Sequence, residues 1–111
     1  MLPIALHEFL DERGRSPFKK WILSLDDYAA ARINKYLERL ADGNVSNVKG
    51  VGKGVSEVRV DFGPGYRIYF GWDGALIVIL LGGGSKNRQQ QDIADAQLRW
   101  SIHKHRKQGK L

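Results

Sequence analysis

The stretch that decides the fold is Gly54–Phe70, which reads GVSEVRVDFGPGYRIYF. Apolar and polar residues alternate on both sides of Gly63-Pro64-Gly65, and this predicts two antiparallel strands joined by a tight turn. If those three residues form the loop, the register pairs Phe62 with Tyr66, Asp61 with Arg67, Val60 with Ile68 and Arg59 with Tyr69.

The same alternation gives the predicted hairpin two different faces. The apolar face holds Val58, Val60, Phe62, Tyr66, Ile68, Phe70 and Trp72, whereas the polar face holds Glu57, Arg59, Asp61, Arg67 and Tyr69. We expect the polar side chains to project from the sheet as an open platform. Guanidinium, phenol and carboxylate groups gathered there indicate a site that holds phosphate.

Composition sets the outer bounds of fold and function. A length of 111 residues predicts one domain, 1–111, with a single modest core. No apolar run reaches transmembrane length, and the first residues lack the basic region of a secretion signal. The sequence has no cysteine, which excludes disulfides and thiolate metal sites. We therefore expect a cytoplasmic protein that needs no membrane, metal or cofactor.

Positive charge is concentrated after the predicted sheet. Residues 1–83 carry 11 Lys and Arg against 10 Asp and Glu, whereas residues 84–111 carry 7 against 2. The run at 104–111 is interpreted either as a solvated, frayed tail or as an electrostatic contact for a polyanion or an acidic partner.

The N-terminal third predicts a short strand followed by a helical hairpin. Ile4–Phe9 is mostly apolar and is interpreted as the strand. Ser16 followed by Pro17 starts a helix that runs to about Leu25. Asp26 or Asp27 caps a second helix, whose buried stripe is Ala29, Ile33, Tyr36, Leu37 and Leu40 and which ends at Asp42-Gly43-Asn44.

The rest of the chain completes an α+β fold. Val45–Gly54 predicts a flexible connector, and Leu76–Leu81, apolar on both faces, predicts a central strand that Gly82-Gly83-Gly84 terminates. Asn87, with Gln90 three residues on, is expected to cap a last helix. Its apolar stripe is Ile93, Ala96 and Trp100. The order strand, two helices, three antiparallel strands and helix predicts helices packed on a small sheet.

Two motifs carry a family resemblance. These are Glu-x-Arg-x-x-x-Gly-Pro-Gly-Tyr-Arg-x-Tyr, at 57–69, and Gly-Ser-Lys-x-x-Gln-x-x-Asp-Ile-x-x-Ala, at 84–96. Together with Phe18-x-x-Trp21-Ile22 and the segment 40–44, they resemble the RelE/ParE superfamily, and within it the HigB-like addiction module killer toxins. The resemblance extends from about residue 18 to residue 96. It implies a small antiparallel-dominated sheet with two N-terminal helices and one C-terminal helix.

The resemblance implies a toxin of a bacterial type II toxin–antitoxin system that cleaves mRNA on the ribosome. It also implies a cognate antitoxin, expected to be a helix-turn-helix protein. Cleavage through the 2′-hydroxyl requires a base, cations for the phosphorane and an acid for the leaving oxygen. Arg67 matches the arginine of the family's Tyr-Arg pair, and Lys86 matches the basic residue that the family places after the central strand.

Further candidates surround these residues. Arg59 is expected to hold a neighbouring phosphate, and Tyr69 completes the catalytic set. The candidate RNA-binding residues are Lys49, Lys53, Arg88, Lys104, Arg106 and Lys107. Glu57 and Asp61 are candidate bases or partners of the arginines, and Asp61–Arg67 forms an ordinary cross-strand ion pair in the simpler interpretation.

The general base and the target stay open at this stage. No histidine falls in the hairpin, and the last helix carries no tyrosine. Tyr69, Lys53 and Glu57 are the remaining candidates for the base. The alternative functions are a ParE-like inhibitor that blocks DNA gyrase without cutting nucleic acid, and a decayed toxin that only binds its antitoxin.

Overall fold

The computed structural model describes residues 3–109 and confirms the α+β fold with two N-terminal helices and one C-terminal helix. A single 3₁₀ turn at Lys86–Arg88 precedes the last helix. The elements are β1 Ala5–Glu8, α1 Pro17–Leu23, α2 Asp27–Ala41, β2 Val48–Gly50, β3 Val55–Val60, β4 Tyr66–Trp72, β5 Ile77–Gly84 and α3 Gln89–Lys107.

The strands form one sheet in the order β1-β5-β4-β3-β2. β1 runs parallel to β5, and every other neighbouring pair is antiparallel. α1 and α2 pack on one face of the sheet, and α3 packs on the other. The sheet is therefore the middle of three layers, which is why β5 is apolar on both faces.

The apolar face predicted for the hairpin is confirmed. Val58, Val60, Ile68 and Phe70 are buried against the N-terminal helices, with Phe62, Tyr66 and Trp72 packed at the margin. The α2 stripe supplies the other half of this core through Ala29, Ile33, Leu37 and Leu40.

Both N-terminal helices begin where their capping residues predict. The Ser16 hydroxyl accepts a hydrogen bond from the Lys19 amide at 3.0 Å, and the Asp26 carboxylate accepts one from the Ala29 amide at 2.8 Å. Each cap satisfies an amide that the first helical turn leaves free. Gly43, at φ +87°, provides the left-handed residue that ends α2.

The opposite face of the sheet approaches α3 closely because glycines line it. Trp100 lies over Gly71 of β4, where a Cβ would come within 2.5 Å of the indole. The Asp92 carboxylate lies against Gly84 in the same way. The prediction that Gly82-Gly83-Gly84 ends the strand is wrong: these glycines belong to β5, and their missing side chains leave room for Trp21 on one face and for α3 on the other.

A β-bulge adjusts β5 to this packing. Tyr69 pairs with Gly82 but Phe70 pairs with Leu80, so Leu81 is the extra residue. The Arg99 side chain donates to the Leu81 carbonyl at 3.0 Å. α3 thereby satisfies a backbone group beside the interrupted ladder.

The hairpin register differs from the prediction by two residues. Val60 pairs with Tyr66 and Arg59 pairs with Arg67, which leaves a five-residue loop at 61–65. Gly63 and Gly65 both adopt positive φ, and the Gly65 amide donates to the Phe62 carbonyl at 3.1 Å. A shift of two residues keeps every side chain on its predicted face.

Two boundary predictions are wrong. The segment 45–54 is not only a connector, because Val48–Gly50 pairs with β3 as the edge strand β2. Asn87 does not cap the last helix: it lies inside the 3₁₀ turn, and α3 begins at Gln89 without a side-chain cap. The first turn instead contacts the sheet: the Asp92 carboxylate lies against Gly84, and the Gln89 amide donates to the Glu57 Oε1 at 3.3 Å.

The far end of α3 is anchored by side chains of its last turns. Asp73, in the β4–β5 turn, contacts the His103 Nε2 at 2.9 Å and the Lys107 Nζ at 2.7 Å. Arg106 donates to the Leu10 carbonyl at 2.6 Å and lies over the Phe9 ring. The basic segment 104–107 is thus the last turn of α3, while Lys110 and Leu111 of the predicted tail lie outside the described residues. No helix within 3–109 is both long and apolar enough to cross a membrane.

We expect Gly71→Ala to destabilise the protein by about 1–3 kcal/mol or more, because the new methyl group has no space beneath Trp100. Gly50→Ala is the matched control, since a Cβ at Gly50 in β2 meets nothing within 4 Å. Urea unfolding of the two variants measures the difference. Equal stability of both variants would contradict the close packing of α3 on β4.

We expect Asp73→Asn to cost about 0.5–1 kcal/mol at neutral pH. Hydrogen bonds from Lys107 and His103 lower the pKa of Asp73 below its ordinary value of 3.8. Its stabilisation is therefore present above that pH and is lost as the pH falls through the lower folded-state pKa. Urea unfolding from pH 7 to pH 3 should show the parent and the variant converging. Glu12→Gln, an exposed carboxylate in a loop, should show no such difference.

Candidate functional site

Three cations from neighbouring segments converge at one end of the sheet. Arg59 and Arg67 lie directly opposite each other in the β3–β4 ladder, and Gly84 of β5 lies on the other side of Arg67. Lys86 follows two residues later, and a Cβ at Gly65 would be 3.8 Å from both the Arg67 Nη1 and the Lys86 Cβ. We call Arg59, Arg67 and Lys86 the cation row.

The members of the cation row differ in exposure. Arg59 and Lys86 are exposed, whereas Arg67 is only 7% exposed. The Arg67 Nη1 donates to the Gly65 carbonyl at 2.9 Å, which fixes the guanidinium under the loop at 61–65. The expectation of an open platform is wrong here, because α3 covers most of the polar face.

Glu57 neutralises the buried arginine. Its side chain is 2% exposed, and its Oε2 is 3.7 Å from the Arg67 Nε. That distance allows an ion pair but is too long for a hydrogen bond. The Gln89 amide of α3 donates to the Glu57 Oε1 at 3.3 Å. The carboxylate offsets the repulsion between the facing arginines and holds the buried guanidinium in place.

The simpler interpretation, an ordinary cross-strand ion pair between Asp61 and Arg67, is wrong. Asp61 lies in the hairpin loop rather than opposite Arg67, because the ladder closes two residues earlier than predicted. Arg67 pairs with Glu57, two residues away from Arg59 on the same face of β3. The alternating pattern placed all these residues on one face but did not determine which carboxylate would pair with the arginine.

Tyr69 lies beneath α3, opposite Glu57 in the ladder. Its side chain has no exposure, and its hydroxyl has no hydrogen-bond partner among the described residues. Burial raises the pKa of Tyr69 above its ordinary value, and the negative charges of Glu57 and Asp92 raise it further. The phenol therefore stays protonated at neutral pH, covered by the helix.

Asp92 is a group to which the sequence interpretation gave no role at the site. It occupies the first turn of α3 against Gly84. Burial raises its pKa, as does Asp95, while the charges of Arg88 and Arg99 act in the opposite direction. The sequence did contain a signal for this contact, because Asp92 lies in the helix that follows a glycine-rich strand. A strand without side chains lets a side chain of the next helix reach the strand backbone.

The remaining candidates lie at different places along the sheet and α3. Lys53 lies between Gly52 and Gly54, which face Gln97 and Trp100 near the middle of α3, and it is therefore at the other end of β3 from Arg59. Lys49, Lys53 and Arg88 are exposed, and Lys49 lies opposite Glu57 in the ladder. Lys104 is exposed in the last turn of α3, roughly 24 Å from Arg88 along the helix axis. Arg106 and Lys107 already contact Leu10 and Asp73 within the chain. The structure therefore does not bring the C-terminal cations to the cation row.

The arrangement is suited to binding a polyanion. Arg59 and Lys86 present free charge on either side of a guanidinium that is held in position, and forked guanidinium donors fit two oxygens of a phosphate. Of the candidate bases, Asp61 and Lys53 are exposed; Asp61 lies in the loop beside the cation row, whereas Lys53, at φ +55°, lies at the other end of β3. Among residues 3–109, no group of three or more His, Asp or Glu side chains is arranged to hold a metal ion.

We expect Arg67→Ala to destabilise the protein by about 3–5 kcal/mol, because it leaves the Glu57 carboxylate buried without its partner. The double variant Glu57→Gln/Arg67→Ala should lose less stability than the two single variants together. A double-mutant cycle by urea unfolding measures this coupling. Additive losses would show that the pair does not stabilise the fold. Functional tests are better made at Arg59 and Lys86, which are exposed.

Two comparisons place this chain among known proteins. Residues 20–101 match the family described as "Phage derived protein Gp49-like (DUF891)", a span that includes the whole cation row but not the last turn of α3. The chain is also 42% identical over 82 residues to an uncharacterized protein of Haemophilus influenzae (strain Rd), covering 73% of this chain and 83% of that protein. The chain belongs to the Gp49-like family of phage-derived proteins.

Proposed function

We propose that the protein is the toxin of a bacterial type II toxin–antitoxin system and acts in the cytoplasm as a ribosome-dependent mRNA endoribonuclease. The observation that carries this proposal is the convergence of Arg59 from β3, Arg67 from β4 and Lys86 from the 3₁₀ turn after β5. Membership of the Gp49-like family and the motifs similar to RelE/ParE toxins support the same function.

The cation row supplies candidates for binding the phosphates and for the leaving oxygen, but not for the general base. Arg67, held by Glu57 and the Gly65 carbonyl, is preorganised to stabilise charge on the phosphorane. Arg59 holds the neighbouring phosphate, and Lys86 neutralises the 5′-oxygen as it leaves. Glu57 acts as a positioning residue, because its carboxylate is directed at Arg67 and is buried away from solvent.

The general base is the catalytic group for which this chain has the weakest candidates. This favours dependence on the ribosome. Glu57 and Tyr69 are covered by α3, and Lys53, which is exposed, lies at the other end of β3 from Arg59. His103 is held by Asp73, and His7 lies in β1, at the opposite edge of the sheet from β2. A substrate ordered by the ribosome needs less catalytic assistance from the protein.

A cognate antitoxin is part of the proposal. An acidic, partly disordered segment of a helix-turn-helix antitoxin would complement the exposed charges of Arg59 and Lys86 and would block access to RNA. Such charge complementarity accelerates association through electrostatic steering.

We expect Arg59→Ala and Lys86→Ala each to relieve growth arrest on induced expression, because loss of one preorganised cationic contact costs about 100- to 1,000-fold in rate. Arg13→Ala removes an exposed charge in the loop after β1, the edge strand that β5 and β4 separate from β3, and should leave the arrest intact. Incorporation of labelled methionine and thymidine, measured in parallel, identifies the process that stops first.

The outcomes separate the functions that share this fold. Arrest of protein synthesis, with cutting of mRNA by the purified protein only when ribosomes are present, would support the proposal. Arrest of DNA synthesis first would indicate a gyrase inhibitor, and the burial of Glu57 and Tyr69 is the observation that favours this alternative. No arrest at all, with the antitoxin still bound, would indicate a decayed toxin.

A further inference from the structure

An array of aromatic rings lies beside the loop at 61–65, on the face of the sheet that α1 and α2 cover. Arg59 and Arg67 of the cation row lie on the opposite face. Neighbouring rings are between 5.2 and 6.3 Å apart, centroid to centroid, in tilted or edge-to-face geometry. In order they are Phe18, Trp21, Tyr66, Phe62 and Tyr28. The array begins in the core and ends at the surface.

Tyr28 forms the exposed end of the array. Its side chain is 69% exposed although it packs edge-to-face on Phe62 at 5.2 Å. The Asp26 cap fixes the first turn of α2 in which Tyr28 lies. The ring is thereby supported on one side and open to solvent on the other. Among the large apolar side chains of α2, Tyr28 is the exposed one. No exposed aliphatic side chain of that helix extends its ring into an apolar surface.

Arg32, one helical turn after Tyr28, adds an unpaired cation. Its Cζ is 5.3 Å from the centroid of the Phe62 ring. Its Nε is buried and has no hydrogen-bond partner, and no carboxylate among the described residues lies within ion-pair distance of it. A guanidinium stacked on an aromatic ring without an acidic partner is available to an anionic or aromatic ligand.

The loop joins this aromatic surface to the cation row over a short distance. The Gly65 amide donates to the Phe62 carbonyl at 3.1 Å, so their Cα atoms are about 7 Å apart or less, as in a β-turn. Phe62 supports Tyr28, whereas Gly65 accepts from Arg67 and lies beside Lys86. The loop at 61–65 therefore separates the two surfaces, and a single strand that crosses this loop would meet both.

We propose that Tyr28, Phe62 and Arg32 form a base-stacking subsite for single-stranded RNA whose phosphates lie along Arg59 and Lys86. This inference rests on the proposed function, because it takes the cation row to bind RNA phosphates. Proteins that bind single strands combine a basic track with aromatic rings on which bases stack. An exposed aromatic ring and an arginine also occur at protein interfaces, and it is the adjacent cation row that favours a single-stranded polyanion as the occupant.

The test measures binding of two oligonucleotides to the full-length protein by fluorescence anisotropy. One is a 2′-O-methyl oligouridylate, which cannot be cleaved through its 2′-hydroxyl, and the other is a strand of equal charge without bases. The wild type should bind the base-bearing strand more tightly. Tyr28→Ala should lose about 5- to 150-fold of that affinity. The salt dependence should stay unchanged, because the phosphate contacts remain.

Matched variants separate stacking from other effects. Tyr28→Phe keeps the ring and should bind as the wild type does. Leu23→Ala truncates a side chain that is 76% exposed on α1 and should also change nothing. Circular dichroism and urea unfolding show whether Tyr28→Ala keeps the fold, and if it does not, Tyr28→Ser and Tyr28→Gln provide the same comparison.

Three results would overturn the inference. If Arg59→Ala and Lys86→Ala weaken binding but Tyr28→Ala does not, the proposed function stands and the stacking subsite fails. If the wild type binds neither strand, both the cation row and the subsite fail as RNA sites. If Tyr28→Ala leaves RNA binding intact but prevents copurification with the antitoxin, the surface is a protein interface.

Discussion

The close approach of α3 to the sheet is the constraint on which the rest of the structure depends. It requires strand positions without side chains, which Gly71 and Gly84 provide beneath Trp100 and Asp92. Because the helix lies so close to the sheet, it covers polar residues of the sheet instead of leaving them in water. Burial then makes their pairing obligatory, since an isolated charge away from water is costly.

This covering divides the candidate site into a fixed part and a free part. Glu57 and Arg67 are buried together, so their role is to hold a guanidinium in one orientation. Arg59 and Lys86 remain in solvent on either side and supply charge without such support. Preorganised charge is more effective than mobile charge at a developing oxyanion, because little reorganisation is needed during the reaction. The same burial raises the pKa of Tyr69 and removes its hydroxyl from the surface.

Local patterns in the sequence predicted the helices, the two faces of the hairpin and the fold class. Capping at Ser16 and Asp26 depends on residues within one turn, so sequence suffices there. The choice of Glu57 over Asp61 as the partner of Arg67 could not be predicted, because it depends on the register of the hairpin. The glycines inside β5 could not be predicted either, because they depend on where Trp21 and α3 pack. Alternation in period two fixes the face of each residue but leaves a register shift of two residues undetermined.

The two-residue shift in the hairpin register is also what connects the cation row with the aromatic rings on the other side of the loop. With a three-residue loop, Phe62 would have been held in the ladder opposite Tyr66. The five-residue loop releases Phe62 to pack under Tyr28, and it also removes Asp61 from the ladder position opposite Arg67. Gly63 and Gly65 make this loop possible because both adopt positive φ. One feature of the backbone therefore determines both the partner of the buried arginine and the support of the exposed tyrosine.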